Sequence, residues 1–323
     1  MVRIRYYSYH MSLFPTEEEL NGLLVGPGAV SWSFASDIRL YLVMLCPLLL
    51  QVAHPTVGAG VSDHSDFAHR PWDRLLHTLD WVTLLVYGGH DAVAAGRRLR
   101  ALHKNFTGTR EDGQPYYALE PEAYAWVHAT LIESYVAGHA QFGRPMTHDQ
   151  AERFYREYRG LGRLVGVREH DLPEDWNGFR EYLTRTASNE LLRTESVDRV
   201  LRTVRHPARP PIPLPDAIWR VSSLPAQRAL WLGGIGLLGR QLRAQLRIDW
   251  SARDERAYQA LGRITRGMTP ALPRRLRVMG PAQLRMRRRA IAAGPLGAGG
   301  GGGGGGDDGD GDGDGDRSAA AAA

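Results

Sequence analysis

Between Arg74 and Tyr87 the chain places Leu75, Leu76, Leu79, Trp81, Val82, Leu84, Leu85 and Val86 on more than one face of a helical repeat. A helix that is apolar nearly all round has to be covered by other elements, so it belongs at the centre of a helical body. Pro71-Trp72-Asp73 opens this segment, with proline suited to a first turn, and Gly88-Gly89 closes it.

The remaining punctuation is also helical. Asp37 to Ala53 reads as one mainly buried helix with a kink at Pro47. His54-Pro55 breaks that pattern, and Val57 to Phe67 follows as a Gly-containing stretch. Asp91 to Asn105 reads as an Arg-decorated helix, residues 107–120 as a polar loop, and Glu120-Pro121-Glu122 as the start of a helix running to Gly138. Thr147 caps a charged helix reaching about Arg163. Asp175 to Thr186 and Leu191 to Val204 are weaker helical segments. After the Pro-rich connector 206–215, helices resume over Asp216 to Leu246 and Asp254 to Arg266. No run of alternating β-branched residues and no internal repeat interrupts this series, so the expected fold class is all-α.

The apolar content sets the extent of the folded body. From Gly294 onward a Gly run, an Asp-Gly alternation and an Ala run offer almost nothing to bury, which predicts disorder. The expected organisation is an N-terminal extension over 1–24, a single helical domain over 25–290 and a tail over 291–323. Residues 295–323 hold six Asp and one Arg, so the preceding 294 residues carry +10 against +5 for the whole chain. Much of that charge is Arg between Arg240 and Arg289. It allows peripheral contact with an anionic membrane through the Arg-rich C-terminal helices. No recognition motif accompanies it, so no nucleic-acid partner is expected.

The apolar run Leu40 to Ala53 is shorter than the ~20 residues needed to cross a bilayer. The first 20 residues lack a signal-peptide apolar core, and a cytoplasmic location is expected. The lone Cys46 excludes an internal disulfide, a paired-cysteine zinc site and Cys-x-x-Cys-His haem attachment.

Imidazole is the remaining chemistry-bearing group. His54, His64, His77, His103 and His128 fall on successive segments, and a bundle builds cofactor sites from side chains on several helices. A single buried histidine is more often a hydrogen-bonded core residue than a ligand. Neither Glu-x-x-His nor His-Glu-x-x-His occurs, so a di-iron or zincin site has no support. Haem asks least of the sequence: one axial histidine, an apolar pocket and Arg for the propionates. Arg74 and Thr78, one turn apart beside His77, could hold a propionate or polarise dioxygen; a surface Arg paired with Asp73 or Asp80 is the competing reading. Gly234 to Gly239 fits G-x-G-x-x-G but follows a helical segment and lacks a βαβ setting, so its glycines are expected to pack helices. The tail imitates an EF-hand start at Asp308, Asp310 and Asp312, but its twelfth position is Ala319.

The stretch Leu48 to Val61 with His64-Ser65-Asp66-Phe67 resembles the signature of a bacterial and fungal oxygenase family. That family contains the latex-clearing protein (rubber oxygenase) and the mycophenolic-acid-pathway oxygenase. The resemblance continues through Pro71-Trp72-Asp73-Arg74-Leu75, Arg98-x4-His103-x2-Phe106-x-Gly108, Trp126 to Leu131 and Phe142-Gly143-Arg144-Pro145, covering about residues 25–265. It implies an α-helical domain holding haem b, with His103 at the proximal iron-ligand position. Arg74 and Thr78 match positions lining the other side of the haem, and Thr130 matches a further pocket position. His77 stands where the latex-clearing protein has a lysine that caps the iron. Gly58-Ala59-Gly60 lies nearest to where that protein has its glutamate base. The resemblance therefore implies a haem-dependent oxygenase acting with dioxygen on an apolar, terpenoid or lipid-like substrate, rather than polyisoprene cleavage specifically. His77 would be a sixth ligand or proton shuttle, and His54 and His128 are the next ligand candidates. The alternatives are a non-catalytic haem carrier or sensor with His103 and His77 as bis-histidine ligands, and a metal-free helical protein.

Overall fold

The computed structural model of the chain describes residues 14–65, 71–206, 216–280 and 285. Helix α1 (Glu17–Leu23) starts at a capping box: the Thr16 side chain accepts from the Glu19 N–H and the Glu19 carboxylate from the Thr16 N–H. It packs on the helix His148–Leu164 and buries Leu20, so part of the expected N-terminal extension contributes to the core. Helix α2 (Val30–Phe34) is capped from a distance, its first two N–H groups donating to the Glu157 carboxylate at 3.1 and 2.7 Å.

The expected Asp37–Ala53 helix is divided. A 3-10 turn over Ile38–Val43 leads at Met44 into α3 (Leu45–Val52). Pro47 falls in the first turn of α3, where its missing N–H leaves no bond unmade, so it helps start a helix instead of kinking one. Cys46 on α3 is a buried small hydrophobe, and burial pushes its thiol up to about 12.

The next difference is larger. The Gly-containing stretch after His54, given no secondary structure from the sequence, forms α4 (Pro55–His64). Gly58 is there for close approach: a Cβ would lie 2.5 Å from the Val52 carbonyl and 3.1 Å from Thr194 Oγ1. Helices α5 (Pro71–Tyr87) and α6 (His90–His103) are joined at Gly88 and Gly89, the latter at φ +56°, and pack on one another. The expected polar loop after α6 contains a hairpin, β1 (Thr107–Thr109) antiparallel to β2 (Pro115–Tyr117), in register Gly108 to Tyr116.

Helix α7 (Pro121–Phe142) is a central helix of the fold. It buries Trp126, Ala129, Ile132, Tyr135 and Phe142, and packs on α3, α4, α8, α11 and α13. Of the α5 side chains that are described, Leu79, Thr83, Leu85, Val86 and Tyr87 are buried. Helices α8 (His148–Leu164), α9 (Trp176–Asn189) and α10 (Glu195–Arg205) begin at the caps Thr147, Asp175 and Thr194. Then follow α11 (Asp216–Leu237), α12 (Gly239–Gln245), α13 (Ala252–Met268), a 3-10 turn (Thr269–Ala271) and α14 (Arg274–Arg277). The Gly234–Gly239 motif does pack helices: a Cβ on Gly234 would enter the Leu45 side chain, and one on Gly236 the Tyr258 ring.

The described fold is therefore all-α with one two-stranded hairpin. Among the described residues no single helix is long and apolar enough to cross a membrane. Ile38–Val52 and Pro55–His64 approach that length only as a pair bent by 103°, and most of the first segment is core. The 207–215 connector and the 291–323 tail lie outside the described residues.

Candidate functional site

The motif segment from Leu48 to His64 is fastened from two sides. From α7, the Trp126 indole N–H donates to the Leu50 carbonyl at 2.9 Å. From the start of α10, Thr194 Oγ1 donates to Val52 O and Ser196 Oγ to Gly58 O, each at 2.7 Å, while the Leu192 N–H reaches Ala53 O at 2.8 Å. These bonds satisfy the last carbonyls of α3 and fix the direction of α4, whose final residue is His64.

His64 stacks on Phe106 with ring centroids 4.2 Å apart and planes 7° from parallel. Phe106 in turn lies 5.3 Å from the His103 ring, and Tyr124 meets His103 edge-on at 6.3 Å. The Tyr116 hydroxyl donates to Asp63 Oδ2 at 2.7 Å, and its ring stands edge-on to His64. Gly108 makes this corner possible, because a Cβ there would come within 2.7 Å of both Asp63 Oδ2 and the Tyr116 ring. The ends of α4 and α6, the hairpin and the first turn of α7 thus converge on a cluster of imidazole and aromatic rings.

His103 closes α6 with its Nδ1 2.7 Å from the carbonyl oxygen of Leu99, one turn back. A carbonyl can only accept, so Nδ1 carries a proton, and in the neutral ring the lone pair lies on Nε2. That is the tautomer in which an imidazole ligates a metal through Nε2. Helix α6 is set by α8, since a Cβ on Gly96 would overlap the Leu164 carbonyl. Arg100, on the same helix, lies over the Tyr124 ring at 5.6 Å, while Tyr124 donates to Val165 O at 2.8 Å.

The α5 candidates lie on the helix that is joined to α6 at Gly88-Gly89 and packs on it. The Arg74 side chain lies outside the described residues. His77 is half-buried, and its Nδ1 is buried with no hydrogen-bond partner; Thr78 is exposed. His64 Nε2 and His54 Nδ1 are also buried and unpartnered. Such atoms in a native fold call for an explanation, because leaving one unsatisfied costs about 1–3 kcal/mol.

The other candidates are placed elsewhere. Thr130 is fully buried on the α7 face toward α3, where its hydroxyl donates to Val127 O at 2.7 Å and accepts from Gln51 Nε2 at 3.0 Å. His128, about 200° away around the helix, faces α8. Its Nε2 donates to Tyr158 O at 2.7 Å, and burial pushes its pKa down to about 4. This is the hydrogen-bonded core histidine of the competing reading. His54 is buried at the start of α4 with Nε2 3.3 Å from Glu190 Oε2. Burial lowers the His54 pKa and raises that of Glu190, so the contact is that of a neutral imidazole and not a full ion pair. Thr130, His128 and His54 therefore stand apart from the His103 cluster, each with its own partners.

The sequence named His64 as one histidine in a series and as part of the signature stretch, and did not assign Phe106, Tyr116, Tyr124 or Asp63 to the site. Phe106 and Gly108 did lie within the motif that carries His103. Among the described residues no group of three or more His, Cys, Asp or Glu side chains is arranged to hold a metal ion. An iron porphyrin asks the protein for only one or two axial ligands.

As a class, this is an all-α protein in which His64 and His103, at two helix ends, meet in a cluster of aromatic rings. A family model described as ER-bound oxygenase mpaB/B'/rubber oxygenase, catalytic domain, matches residues 32–267, and the chain belongs to that family. Two curated relatives are an uncharacterized protein of Mycobacterium bovis and one of Mycobacterium tuberculosis. Each is 27% identical over 240 residues, covering 72% of this chain and 91% of the relative. No solved structure matches. Membership makes the chain an enzyme of an oxygenase family, and one that uses small substrates with dioxygen.

Proposed function

We propose that the chain is a haem b-dependent oxygenase in which His103 ligates the iron and the substrate is apolar, of terpenoid or lipid-like chemistry. The observation that carries this reading is the bond between His103 Nδ1 and the Leu99 carbonyl, which prepares Nε2 as a donor to a metal. The unpartnered ring nitrogens of His77 and His64 add to it, since both are polar atoms that a bound group or its water would satisfy. Phe106 and Tyr124 give the His103 side an aromatic wall.

When bound, the haem supplies dioxygen binding and redox chemistry, and the protein supplies ligation, polarity and exclusion of water. Arg74 brings a permanent positive charge suited to a propionate, and Thr78 a hydroxyl one turn away. His77, with its Nδ1 unengaged, serves as proton shuttle or distal ligand. The single hydroxyl proton of Thr130 is already committed to Val127, so this residue holds α7 against α3 and shapes the pocket wall. His54 holds the α4 entrance in the same sense.

The test is the absorption spectrum of purified protein supplied with haem, recorded beside His103→Ala. The expected result is a Soret band in the wild type that shifts or disappears in the variant. An unchanged band would transfer the ligand role to His77 or His64. Wild-type protein that stays colourless would remove the haem reading altogether. A low-spin ferrous form that never yields an oxy complex would favour a bis-histidine carrier or sensor using His103 and His77.

A further inference from the structure

The C-terminal corner of the fold presents apolar side chains to solvent where a globular body would bury them. Ile264 and Met268 are one turn apart on the outer face of α13 and are 54% and 63% exposed. Leu272, after the 3-10 turn, and Leu276, on α14, continue the series at 38% and 50%. Four large apolar side chains exposed along the stretch from Ile264 to Leu276 make an apolar stripe in the chain, whereas isolated exposed leucines would need no explanation.

Basic residues border this stripe. Arg263, Arg274 and Arg275 are exposed and form no ion pair among the described residues. No Asp or Glu occurs between Arg256 and Gly306 in the sequence, so nothing along the segment offsets the charge. The corner is also held firmly. Thr269 is buried and its hydroxyl donates to Thr265 O at 2.6 Å. Past α14, Val278 bridges Asp37, and the Met279 N–H donates to Ser36 O at 2.7 Å. Both ends being fixed on the body, the stripe projects without needing to fold on contact.

We propose that this α13–α14 corner is a docking surface for an anionic lipid bilayer, with Ile264, Met268, Leu272 and Leu276 entering the headgroup–acyl boundary and the arginines pairing with lipid phosphates. Apolar side chains on one rigid edge with cations beside them match the layered chemistry of such a surface. Nucleic acid would use the arginines and leave the four apolar side chains in water. The inference does not depend on haem binding, although it would place the enzyme where apolar substrates dissolve.

The experiment is co-sedimentation of the full chain with vesicles of phosphatidylcholine alone or with about 30% phosphatidylserine at ~0.1 M salt. The wild type is expected to bind the anionic vesicles selectively and to be released by high salt. Ile264→Ser with Met268→Ser, and separately Arg274→Gln with Arg275→Gln, are each expected to lower the bound fraction at least about tenfold. All these positions are exposed, so the helical circular dichroism and Tm should match the wild type. Retained binding by both pairs, equal binding to neutral vesicles, or binding to duplex DNA without binding to vesicles would overturn the proposal.

Discussion

His103 Nδ1 and the Leu99 carbonyl stand 2.7 Å apart within one turn of α6, and the bond orients the ring about its own helix. A truncated side chain at this position leaves a gap of imidazole size. If Nε2 is the ligating atom, free imidazole should therefore bind the haem-supplied His103→Ala protein and return its Soret band toward the wild-type position. Imidazole that restores His77→Ala and leaves His103→Ala unaffected would reverse the assignment.

The stack of His64 on Phe106 joins α4 to the residues following α6, across 42 positions of sequence. Phe106→Leu keeps most of the apolar area and removes the ring-on-ring contact, a loss of about 0.5–1.5 kcal/mol. Chemical denaturation of the haem-free protein should show this as a lower midpoint at unchanged slope. The same substitution should perturb the spectrum of the haem-supplied protein, because Phe106 also borders His103.

Gly96 and Gly267 are both helical glycines with opposite surroundings. A methyl group on Gly96 meets the Leu164 carbonyl, whereas one on Gly267 meets nothing within 4 Å. Gly96→Ala should destabilise by about 1–3 kcal/mol and weaken haem uptake, by forcing the helix of His103 away from α8. Gly267→Ala should stabilise by about 0.5–1 kcal/mol through backbone entropy. Thermal unfolding of the two variants reads both signs; a stabilised Gly96→Ala would contradict the packing described for α6.

The elements that local chemistry specifies were legible in the sequence. Thr147 starts α8, Pro71 starts α5 and Gly88-Gly89 ends it, each for a reason contained within a few residues. Helix α4 was not legible, because Gly58 looks like a breaker until the Val52 carbonyl and Thr194 are seen pressed against it. The central place of α7 was not legible for a similar reason. Helix α7 carries His128, Glu133 and His139, which look like surface residues until Tyr158 O, Arg180 and Phe34 O are found as their partners. In the site, His103 came from a motif, while its bond to the Leu99 carbonyl appears only in the structure. His64 and Phe106 each lay within a motif, but their meeting with each other and with Tyr116 arises only from tertiary packing.

His128 offers a prediction in pH. Buried between α7 and α8 with its Nε2–H on Tyr158 O, it stays neutral in the fold, with a pKa of about 4 against 6.5 for the ordinary group. The unfolded chain therefore takes up a proton from about pH 6.5 downward while the folded chain does not. The stability associated with the neutral buried ring is fully present above pH 6.5 and drains away as pH falls toward 4, by roughly 3 kcal/mol if the whole shift is realised. His54 and His139 are shifted in the same direction by burial and should add smaller slopes of the same sign. Urea unfolding at pH 7.5 and pH 5 should therefore show the wild type losing stability on acidification. His128→Gln, which keeps a donor for Tyr158 O but cannot titrate, should lose measurably less. An equal loss in wild type and variant would mean that His128 does not carry this acid sensitivity.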